Sequence, residues 1–157
     1  MLPRCVTWRW LSLLTLSALW LGGPAAVRAE EKVRVTVVAI LATDRNNKVD
    51  DRLKCIAEEV RKVEPKLTGF QMGQITCTPV AVGNSYKVPL VEKATAEVVI
   101  QQGADKDNRV KLKIKAPKMG DLVYTCACGK FFPIVTRYQT KDKERLIIAV
   151  MVRPCKH

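Results

Sequence analysis

Sulfur and positive charge are the two chemistries concentrated in this sequence. Beyond residue 29 it holds five cysteines, Cys55, Cys77, Cys126, Cys128 and Cys155. At Arg109-Val110-Lys111-Leu112-Lys113-Ile114-Lys115 it places four cations at every second position. Other reactive side chains are scarce: the single histidine is the last residue, His157, and the stretch after residue 29 has one serine, Ser85. Those absences exclude most His-dependent acid–base chemistry and any Ser-His triad. The eight glycines never group as a G-x-G-x-x-G phosphate cradle. Glu58 and Glu59, adjacent on a helix, point apart and cannot flank one sugar bond. No enzyme activity, cofactor or metal is expected.

Cys126 and Cys128 are two residues apart, so on a strand they share one face and a bond between them is geometrically poor. As a C-x-C pair they would hold a soft metal or exchange disulfides. They lack the C-x-x-C spacing and the helix start that lower a thiol pKa, and a metal would need two more ligands from the remaining cysteines. Folding Phe131–Tyr138 back on Arg145–Val152 about Lys141-Asp142 sets Cys155 opposite residue 128 or 129. The expected disulfide is therefore Cys128–Cys155, which would stabilise the fold by about 3 kcal/mol. Cys55 faces away from the apolar stripe of its helix, leaving it for a bridge to Cys77 or for an intermolecular bond. Five is odd, so at least one sulfur is free or shared with another molecule.

The cation row reads as a strand. Val110, Leu112 and Ile114 point inward, and Arg109, Lys111, Lys113 and Lys115 line the outer face over roughly 20 Å. The turn between Gly103 and Asn108 sets this row against Thr95, Glu97, Val99 and Gln101, with Glu97 opposite Lys113. The remaining charge suits an acidic polymer or an anionic envelope surface. The plainer alternative is a solvated face whose lysines prevent aggregation at the edge. No aromatic residue alternates with the lysines, so neither base stacking nor specific nucleic-acid readout is expected. The Asx-rich loops at Asp44–Lys48 and Asp105–Asn108 read as turns, since neither has the glycine and distal glutamate of a calcium loop.

These residues need a scaffold, and the hydrophobic periods describe one. Val33, Val35 and Val37 alternate, and the pattern then fills in to Val38-Ala39-Ile40-Leu41, as in a strand buried on both faces. Val49, Leu53, Ile56, Val60 and Val63 follow helical spacing, with Asp50 or Asn47 to cap the start and Pro65 to stop the helix. Strands are predicted at Ile75–Val82, Tyr86–Val91, Ala94–Gln101, Arg109–Ala116, Leu122–Cys128, Phe131–Tyr138 and Arg145–Val152. Of Phe131 and Phe132, one ring should enter the core and the other face out. The expected class is α+β: one amphipathic helix packed on a largely antiparallel meander sheet. The alternative is a β-sandwich with a single helix.

Arg4 and Arg9, the apolar run Leu11–Leu21 and the small residues of Val27-Arg28-Ala29 predict a signal peptide over residues 1–29. An uncleaved anchor over Trp10–Val27 would be short and broken by Gly22-Gly23-Pro24. Residues 30–157 then form a single domain, secreted or periplasmic, with no membrane span. Losing Arg4, Arg9 and Arg28 takes the net charge from +12 to +9.

The segments VDDRLKCIAEEVRKVEPKLTGF (Val49–Phe70) and CGKFFPIVTRYQTKDKERLIIAVMVRPC (Cys128–Cys155) resemble those of small, exported, planctomycete-type bacterial proteins of unknown function. The resemblance implies export and a shared domain, and carries over no ligand or site. The expected function is a non-enzymatic binding or scaffolding domain of the cell envelope that uses its cationic sheet face. The alternative is a thiol-dependent envelope protein acting through Cys126 and Cys128. A peptidase inhibitor of the helix-on-sheet kind ranks third, because the sequence shows no inhibitory loop.

Overall fold

The computed structural model describes residues 31–155, so the expected signal segment lies outside the described residues. The chain runs β1 (Lys32–Thr43), a 3-10 turn (Asp51–Leu53) continuing into α1 (Lys54–Val63), β2 (Gly69–Ala81) and β3 (Ser85–Pro89). It continues through β4 (Thr95–Gln102), β5 (Arg109–Lys115), β6 (Asp121–Ala127), β7 (Phe132–Gln139) and β8 (Arg145–Pro154). Among the described residues the class is α+β, mostly strand, with one α-helix and antiparallel pairing between all the strands of the sheets. The strands do not form one continuous meander. They divide into two four-stranded sheets, β2-β1-β8-β7 and β3-β4-β5-β6, which is the two-sheet arrangement held as the alternative.

The chain leaves the first sheet between β2 and β3 and returns between β6 and β7. A glycine with positive φ stands at each change, Gly83 at 88° and Gly129 at 80°. The left-handed region is open to glycine without a Cβ clash, so both corners are made by the residue that suits them.

The inner faces of the two sheets make the main core. Val35, Val37, Ile148 and Val150 from the first sheet meet Val98, Ile100, Leu112 and Ile114 from the second. A second cluster lies on the other side of the first sheet, where Leu53, Ile56, Ala57 and Val60 of the helical segment cover Val38, Ile40, Ala42, Ile147 and Ala149. β1 and β8 are therefore buried on both faces, which is why their sequences fill in from alternation to Val-Val-Ala-Ile and Leu-Ile-Ile-Ala-Val. Each of these large side chains contributes roughly 1.5–3 kcal/mol by leaving water.

The helix starts as the sequence implies. The Asp50 side chain accepts from the Arg52 N–H at 3.0 Å and pairs with the Arg52 guanidinium at 2.8 Å. Those hydrogen bonds, the guanidinium's first, hold the Asp50 carboxyl well below its usual value, at about 2. The stripe departs from expectation at its far end, where Val63 is 74% exposed and Ala57 takes a core place instead. At 100° per residue Val63 has drifted about 70° from the centre of the buried face. β2 also begins six residues before its expected start, because Phe70 and Met72 pack under the helix.

Candidate functional site

The β5 row faces outward as expected, but the second sheet brings acids to it. The turn after β4 closes so that the ladder begins at Gln102 opposite Lys111, and past a bulge between Ile100 and Gln102 Glu97 stands opposite Lys115 and not Lys113. One cross-strand rung therefore reads Lys87, Glu97, Lys115, Asp121 over all four strands, with signs alternating. Lys113 also pairs with Asp121 at 3.3 Å. Arg109 is held by Asp105 at 3.3 Å and Asp107 at 2.7 Å. Four carboxylates, Asp105, Asp107, Glu97 and Asp121, thus serve three of the four cations, and of the row only Lys111 has no acid either across from it or in an ion pair among the described residues. The free positive stripe expected from the sequence is largely neutralised. Asp105 also accepts from the N–H groups of Asp107 and Arg109, which is turn chemistry.

The five cysteines among the described residues are free thiols in this structure, so neither the Cys128–Cys155 bridge nor a Cys55–Cys77 bridge is formed. Cys126 is buried in the core between the sheets, and Cys128 is half-buried against it. Burial pushes both thiols above their usual pKa. The neighbouring Cys128 adds to the effect on Cys126, and Asp105 adds to it on Cys128. Cys55 is exposed on α1, as its helical position implies. The Thr36 hydroxyl lies 3.5 Å from the exposed Cys77 sulfur, in hydrogen-bonding contact.

Cys128 and Cys155 do converge, together with Cys77, on a groove of about 740 Å³. Its origin is the mismatch between helix and sheet. α1 has ten residues, about 15 Å, whereas β1 has twelve and runs roughly 40 Å. The helix covers the Val38–Ala42 end of the first sheet's outer face and leaves the Arg34–Thr36 end open. In that open end Arg34 of β1 stands directly opposite Arg153 of β8, and both side chains line the groove. Thr36 and Asn108 add neutral polar groups, Met151 an apolar one, and among the described residues no carboxylate lines it. Among the described residues neither arginine forms an ion pair. Like charges on directly opposite residues repel, and a bound anion would relieve that repulsion. A guanidinium also presents a planar fork of donors matched to carboxylate, sulfate or phosphate oxygens.

Sequence reasoning missed this pair. The alternation in β1 does point Arg34 away from the valine face, and Arg153 precedes Cys155 by two. Their adjacency comes from pairing the first strand with the last, which no local pattern encodes. No family model, no curated protein and no solved structure matches the chain, so the site stands on its own geometry.

Proposed function

We propose that the protein is a non-enzymatic exported binding domain whose ligand presents an anionic group to Arg34 and Arg153. One observation carries this reading: two arginines opposed across neighbouring strands in a groove that no carboxylate of the described residues lines. The shared chemistry is an oxyanion (carboxylate, sulfate or phosphate), on an acidic envelope polymer or on a smaller molecule. Export and an envelope location are supported by the N-terminal segment and by the resemblance to exported planctomycete-type proteins. The β5 row is a secondary contact, because three of its four cations already have acids paired with them or directly across from them. A thiol-dependent role for Cys126 and Cys128 has less support, since their raised pKa values lower the thiolate fraction on which nucleophilic or metal chemistry depends.

The test is heparin chromatography of the chain lacking residues 1–29. Changing Arg34 and Arg153 together to Gln should reduce the salt slope of retention by about 2, one unit for each lost contact. Changing Lys111, Lys113 and Lys115 to Gln should leave it nearly unchanged. If the triple change has the larger effect, the anion binds on the second sheet and the groove reading is wrong.

A further inference from the structure

The four sheet edges are not equally protected. β3 carries Lys87 and Pro89, β6 carries Asp121, and β7 carries Pro133 and Arg137. β2, thirteen residues from Gly69 to Ala81, carries no charged residue. It pairs only with β1 along its length, so its other side is an edge. One end of that edge is closed: the Phe70 N–H donates to Lys48 O at 2.8 Å and Phe70 O accepts from the Asp50 N–H at 3.0 Å. Towards the other end Pro79 has no N–H to offer a further strand. Between the bulge at Gly73 and Pro79, the stretch Gln74–Thr78 has no backbone partner on that side among the described residues. Open, neutral strand edges are templates for pairing with another strand.

We propose that β2 is a self-association edge, through which two copies of the chain pair antiparallel and join their first sheets into one eight-stranded sheet. Two features select a second copy as the occupant. First, the stretch is self-complementary about Thr76. An antiparallel two-fold there sets Thr76 against Thr76 of the second copy, Gln74 against Thr78, and Ile75 against Cys77 on the outer face. The pairs are thus hydroxyl with hydroxyl, amide with hydroxyl and apolar with apolar. Ile75 is 57% exposed in the single chain, and this pairing covers it. Second, residues 30–157 carry a net charge of +9, so two copies repel over most surfaces, and the uncharged β2 edge is where they can approach. The open ladder is short, about 17 Å, and the bulge and proline at its ends stop it from growing into a longer array.

Sedimentation in reducing buffer tests this. The wild-type chain should show a concentration-dependent dimer, and Ile75→Lys, a change at an exposed side chain, should be monomeric, with a melting temperature equal to that of the wild type at concentrations where the wild type is also monomeric. In a Cys55→Ser background, once the reductant is removed, a short bis-methanethiosulfonate should link Cys77 to Cys77 of the second copy, each thiolate displacing a sulfinate, since same-face diagonal neighbours lie about 7–8 Å apart. Adding Cys77→Ser should abolish the link. A monomer at every concentration overturns the proposal, as does a dimer that persists undiminished in Ile75→Lys or fails to link through Cys77.

Discussion

Changing Arg153 to Gln should make the protein more stable while weakening its binding. Residues directly opposite in an antiparallel pair have Cβ atoms about 4.5–5.5 Å apart. Guanidinium heads splayed to about 7 Å in water repel by about 0.6 kcal/mol. Gln keeps much of the stem and removes the charge, so Arg153→Gln relieves that repulsion from Arg34. For a chain of this size the gain corresponds to a rise in Tm of about 2 °C at low ionic strength. It should fall by more than half at about 0.15 M salt and vanish near 1 M, where the Debye length is about 3 Å. The assay is thermal unfolding followed by circular dichroism at three salt concentrations, repeated with added sodium sulfate at fixed ionic strength. Sulfate held between the two arginines raises the wild-type Tm by linkage, and it should raise the variant's less. A variant that melts lower than wild type at low salt, or one that sulfate stabilises equally, refutes the argument that this pair is held in a strained arrangement for an anion.

Three further outcomes follow from the packing and charge. Leu53→Ala, at a position 1% exposed between α1 and the first sheet, should cost about 3 kcal/mol, measured by urea unfolding with an unchanged slope. Glu97→Lys leaves the cross-strand rung with lysines on three neighbouring strands and Asp121 alone to balance them, and should destabilise by about 1 kcal/mol at low salt with partial recovery as salt rises. Asp50 has a folded pKa lowered from 3.8 to about 2, so its stabilising share is full above pH 3.8 and is lost as pH falls towards 2. Asp50→Asn should flatten that part of the curve of urea midpoint against pH, and NMR of the wild-type carboxyl should titrate near 2.

Much of the local structure is legible in the residues alone. The helix around Leu53–Val60, its Asp50 cap, seven of the eight strands to within two residues at each end, and the double burial of β1 all follow from repeats of 3.6 and 2 read over short windows. The outward direction of Arg109, Lys111, Lys113 and Lys115 is equally plain, as is the exposure of Cys55. What escapes such a reading is anything that depends on a neighbour distant in the chain. A two-residue change of register, which moves Glu97 from Lys113 to Lys115, keeps every side chain on its face and leaves no trace in an alternating pattern, and the acids of neighbouring strands make the row less positive than alternation alone suggests.

Side-chain alternation is a property of one strand, and the residues of that strand are enough to determine it. Which strands lie side by side is decided by how eight apolar faces bury one another at once. Here that means the turns at Gly83 and Gly129 send β3–β6 to a second sheet, and β1 then closes on β8. Only that closure sets Arg34 beside Arg153, gathers three thiols around them and leaves β2 as an uncharged edge. Which side chains face out is written in each short run of residues; which of them meet is settled by packing across the whole chain.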